Sequence, residues 1–125
     1  MSGMITEEDI SRLIPAFYER VRADPQLGPI FNAAVDDWPH HLERLKAFWS
    51  SVILSTGRYK GQPMVVHLRH EQAMTAQNFT RWLNMWRETT SDILSADAAA
   101  IFQEKANVIA ESLQLGVQFH RARIA

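Results

Sequence analysis

A chain of 125 residues with 46% hydrophobic and 22% charged side chains has the balance of one globular domain, long enough to enclose a core. Its formal net charge of −1 gives no electrostatic reason to expect nucleic acid or anionic lipid as a partner. The absence of cysteine excludes disulfides, iron–sulfur clusters, thiolate nucleophiles, Cys-based zinc sites and C-x-x-C-H cofactor attachment.

The start MSGMITEEDI lacks a charged-then-apolar leader pattern, and no apolar run reaches a membrane-spanning length. A cytoplasmic protein is therefore expected. No repeat, low-complexity tract or linker divides the sequence, so residues 1–125 read as a single domain.

Thr6 with Asp9 three residues on has the form of a capping box opening a helix. Ile10, Leu13, Ile14, Phe17 and Val21 then make one apolar stripe, with Tyr18 at its edge. Pro15 interrupts the stripe, which predicts a break or kink and a second helix restarting there. The segment DPQLGPIFN, 24–32, with two prolines and a glycine, reads as turns.

The next helix is WPHHLERLKAFWSSVIL, with Asp36 or Asp37 as its cap and Pro39 in its first turn. At 100° per residue, Trp38, His41, Leu42, Leu45, Phe48, Trp49, Val52 and Ile53 share one arc. His40, Glu43, Lys46, Ala47, Ser50 and Ser51 fall outside it. Gly57 is expected to end the helix, with GRYKGQP, 57–63, as a loop.

MVVHLRHEQA, 64–73, has an ambiguous period and room for a short helix. Thr75 caps another, striped by Phe79, Trp82, Leu83, Trp86, Ile93 and Leu94. Ser95 opens a long last helix, with Phe102, Ala106, Ile109, Leu113 and Val117 facing inward. No segment alternates as a strand does, so the chain is expected to be all-α, with six or seven helices.

The histidines carry the first hint of chemistry. His41 lies on an apolar arc, either as a core histidine bonded to a carbonyl or as an imidazole presented to a pocket. His67 and His70 can share a helix face, and spacing alone leaves open which of them, if either, binds a metal. A zinc site finds no H-E-x-x-H or accompanying carboxylate. His120 reads as a solvated tail residue. No phosphate loop, nucleophile elbow or isolated carboxylate pair is present. What stands out is that Tyr18, His41 and Trp82 each put a polar-tipped ring on a different apolar face. Buried, each needs a hydrogen-bond partner, and the three can converge on one polar object.

Four motifs occur in order: FYERVRADPQLGPIF, W-x-x-H followed by FW, Y-x-GQP-x-x-x-H, and F-x-x-WL-x-x-W. Together, from about Ile10 to Trp86, the chain resembles the group III truncated haemoglobins. The resemblance implies a truncated globin fold, a two-over-two helical sandwich enclosing a non-covalent haem b. It implies His67 as the proximal iron ligand and Tyr18, His41 and Trp82 as the distal pocket. Phe31, Leu45, Phe48 and Trp49 are then expected to pack on the cofactor, with Met64 beside the proximal position. Arg44, one turn beyond His41, is expected to pair with a haem propionate.

The function implied is binding of O₂, NO and CO by a monomer. The alternative is an enzyme that turns over NO or peroxide and draws electrons from an external reductase. A haem-free helical interaction module is the remaining reading from a different class.

Overall fold

The structure, a computed structural model, describes residues 4–124; the first three residues, which open the stretch MSGMITEEDI, lie outside it. Six α-helices follow one another: α1 Glu7–Ala23, α2 Gly28–Ala34, α3 Trp38–Leu54, α4 Pro63–Leu68, α5 Ala76–Ile93 and α6 Ala96–Ile124, with one 3₁₀ turn at Glu71–Ala73. No strand occurs among the described residues. The long helices make the two-over-two arrangement: α1 packs on α3 and α5, and α5 packs on α6.

Helix starts follow local side-chain chemistry. Thr6 accepts from the Asp9 backbone N–H while Asp9 accepts from that of Thr6, so two orphan donors are satisfied reciprocally. Asp37 caps α3 through the His40 N–H, Thr75 caps α5 through the Asn78 N–H, and the Ser95 hydroxyl accepts from Ala98.

Three expectations are corrected. Pro15 sits inside a continuous α1 and does not divide it. The carbonyl it leaves unpaired belongs to Ser11, which is exposed and open to water. Burial on both sides of it, at Ile10, Leu13, Ile14 and Phe17, holds the helix together. The turn segment 24–32 holds turns only to Leu27; Gly28 opens α2, with Pro29 in its first turn. A Cβ at Gly28 would collide with the Arg22 carbonyl, so glycine is what lets α2 fold back against the end of α1. Gly57 does not end α3 either. The helix stops at Leu54, and Ser55 takes the left-handed position with φ 57°.

The core is a cluster of aromatic rings. Trp86, buried, stacks between Trp49 (centroids 4.6 Å apart) and Trp82 (5.1 Å), and meets Phe17 edge-on at 4.8 Å. Its indole N–H donates to the Phe102 carbonyl at 3.1 Å, so the burial leaves no orphan donor. Such ring pairs contribute about 0.5–1.5 kcal/mol each beyond area burial, and here they also fix the tilt of Trp82.

Burial extends beyond the apolar stripes. Ser50, placed outside the α3 arc by angle alone, is fully buried and donates to Glu7 at 2.6 Å. Thr89 and Thr90 are buried as well, each returning its hydroxyl to the carbonyl four residues back. His120 is half-buried on α6, not solvated as the sequence suggested.

Asp24, buried at the end of α1, accepts from the Gln26 and Leu27 backbone N–H groups and pairs with Arg81 of α5. Arg81 is the main reason its carboxyl titrates below the ordinary value of 3.8, with desolvation opposing. A depressed folded-state pKa means the contribution is complete above 3.8 and is lost as pH falls through the folded value. We expect Asp24→Ala to cost about 2 kcal/mol near neutral pH. Asp24→Asn should flatten the acid limb of stability against pH, as read by urea melts at pH 3 to 7. An unaltered acid limb would count against the assignment.

Candidate functional site

One cavity of about 510 Å³ lies within the fold, walled by α3, α4, α5 and α6, the end of α2 and Tyr18 of α1. Its lining is predominantly apolar. Tyr18, His41, Trp82 and His67 all line it, although they come from four different helices.

Tyr18 follows Phe17 on the buried face of α1 and is 4% exposed. Its ring meets Phe17 at 4.9 Å, Phe31 at 5.9 Å, Trp38 at 6.0 Å and His41 at 6.3 Å. Burial pushes its phenol far above the ordinary range, so it keeps its proton. The neighbouring Trp82 indole opposes this shift.

The α3 helix divides its two histidines. His41 is half-buried with its ring edge-on to Trp38 at 5.5 Å, and His40 is exposed, yet both reach the cavity. Burial lowers the His41 pKa first, and the Arg44 and His40 charges add to it, which favours neutral imidazole. Leu45, Phe48 and Trp49 follow on the cavity side of α3, and Phe31 closes it from α2.

His67 lies in the last turn of α4, half-buried, with Nδ1 2.7 Å from the Pro63 carbonyl oxygen. A carbonyl only accepts, so Nδ1 must carry the proton. In a neutral ring the lone pair is then on Nε2. Burial, the largest influence, lowers the His67 pKa and favours that neutral form, although the Pro63 bond opposes it. His70 precedes the following 3₁₀ turn, is exposed, and also lines the cavity, beside Arg69. No group of three or more His, Asp or Glu side chains able to hold a metal ion by themselves occurs among the described residues.

Arg44 is exposed at the cavity, its guanidinium over Gly61 and beside the Tyr59 ring. Met64 is the exception. It is not among the cavity-lining residues, and its thioether lies over Gly116 of α6. Sequence reasoning missed Tyr59, Phe79 and Met74 as lining, and took Ile109 and Leu113 simply as core. The Y-x-GQP motif held the signal for Tyr59; α6 held none, because an apolar position facing a cavity has the same spacing as one facing a helix.

No family model matches the chain. A group 3 truncated haemoglobin of Campylobacter jejuni is 32% identical over 114 residues, covering 88% of this chain and 89% of the relative. The crystal structure of a group III truncated haemoglobin from Campylobacter jejuni superposes with a TM-score of 0.80 at 31% identity, covering 90% of this chain and 91% of that one.

Proposed function

This chain belongs to the group III truncated haemoglobins, and on that premise we propose that it is a haem b protein that holds O₂, NO or CO in the cavity beside His67. The observation that carries this reading is the convergence of one lone-pair imidazole and three polar-tipped rings on a single apolar cavity. Haem, when bound, supplies an iron atom that takes one imidazole and one diatomic ligand.

The residues present fit that group. Phe31, Leu45, Phe48, Trp49, Ile109 and Leu113 offer apolar surface to a flat macrocycle. Arg44 and Arg69, at the same cavity and exposed, suit its two carboxylate arms; an exposed ion pair of this kind is worth about 0.2–1 kcal/mol. His67 is held by Pro63 in the tautomer that a metal takes, since a ligating histidine commonly gives its other N–H to a carbonyl.

Tyr18 and Trp82, both at the cavity, offer an O–H and an indole N–H to a diatomic ligand that draws negative charge. His41, neutral and between Trp38 and the cavity, controls access. Retention by such donors suits a slow-release protein better than oxygen delivery.

Titration of the purified chain with hemin tests the reading. One equivalent should be taken up with an intense Soret band, and ferrous protein should shift that band on adding CO. Failure to take up haem would leave a helical interaction module as the reading.

A further inference from the structure

Helix α4 is six residues long, too short to hold itself in water, and α6 is its one substantial packing partner among the described residues. Two contacts tie the segment 63–73 to α6. The Met64 thioether lies where the Cβ of any other residue at position 116 would stand. Five residues further on, the Arg121 guanidinium donates to the Glu71 carbonyl at 2.7 Å, directly after His70, and its Nε sits 3.6 Å from the Glu71 carboxylate. That carboxylate oxygen, Oε2, is buried and makes no hydrogen bond, so the guanidinium beside it is its charge partner.

Glycine within a helix is unfavourable by about 1 kcal/mol against alanine. Gly116, inside the 29-residue α6, leaves room where the flexible end of Met64 lies, so a bulky residue there would make Met64 shift. We infer that Gly116 and Arg121 are positioning residues: α6 seats Met64 at one end of the His67 segment and clasps Glu71 at the other, fixing where the imidazole stands. This rests on the reading of His67 as the iron ligand.

The test uses Gly116→Val, Arg121→Ala, and Gly116→Val combined with Met64→Ala, which gives back the volume the valine takes. Amide exchange over residues 63–73 is measured on the chain as purified, and the iron–histidine stretching band and rate of haem loss on the ferrous, haem-loaded chain. Each single variant should speed exchange there and haem loss by roughly 3–10-fold, the scale of one lost hydrogen bond, and should shift or broaden the band. The combined variant should recover toward wild type, although a merely destabilised helix would not. Unchanged exchange over 63–73 overturns the docking. Faster exchange with an unmoved band and unchanged haem loss overturns the positioning. A wild-type chain that binds haem without an iron–histidine band overturns the ligand assignment itself, which the exchange data distinguish from failed docking.

Discussion

His67→Ala should release haem at least ~10–100-fold faster than wild type, because losing only a group that supports a metal ligand already costs that much. The ferrous spectrum should lose its imidazole-ligated form, and free imidazole added to the variant should restore part of it by occupying the space left behind. His70→Ala should leave spectrum and haem loss nearly unchanged. The two histidines differ in ways that predict this ordering: His67 is half-buried with Nδ1 bonded to Pro63, and His70 is exposed. The half-buried position of His67 also means truncation should disturb the fold little, so an intact helical signal is part of the expectation. Haem lost from the His70 variant and kept by the His67 variant would reverse the assignment.

Spacing could not have separated these two residues, and the reason is physical. Three residues apart in a stretch that reads as one short helix, both imidazoles have the same periodicity. What distinguishes them is the Pro63 carbonyl and the greater burial of His67, both features of packing. Elsewhere local chemistry was enough. Thr6, Asp37, Thr75 and Ser95 announce helix starts because their side-chain oxygens meet N–H groups two or three residues on. Pro15 and Gly57 misled because tertiary burial overrides a breaker, and because Ser55 adopted the left-handed turn first. Ser50, Thr89 and Thr90 were unreadable as core, since the bonds that make their burial tolerable leave no trace in hydropathy. Tyr18, His41 and Trp82 were legible as three odd residues on apolar faces. That they line one cavity follows from how α1, α3 and α5 pack together, which no single face records.

The same convergence sets the largest expected effect on ligand release. Tyr18→Phe removes the O–H that the buried phenol keeps at any ordinary pH, and should raise the O₂ dissociation rate roughly 3–10-fold, the equivalent of one neutral hydrogen bond at ~0.5–1.5 kcal/mol. Trp82→Phe should also raise it, by removing the indole N–H at the same cavity. Because both donors and the ligand form one network, the two effects should not simply multiply in the double variant. A ring remains at each position, so Phe17 and Trp86 keep their aromatic partner and packing loss stays small. Carbon monoxide gathers less negative charge at its outer atom and should respond less than O₂ to either change. His41→Leu, by contrast, should act mainly on association, since its ring stands between Trp38 and the cavity. Stopped-flow measurement of the four variants decides the matter. If O₂ release is unchanged in both Tyr18→Phe and Trp82→Phe, the two rings are packing alone and the donor mechanism fails.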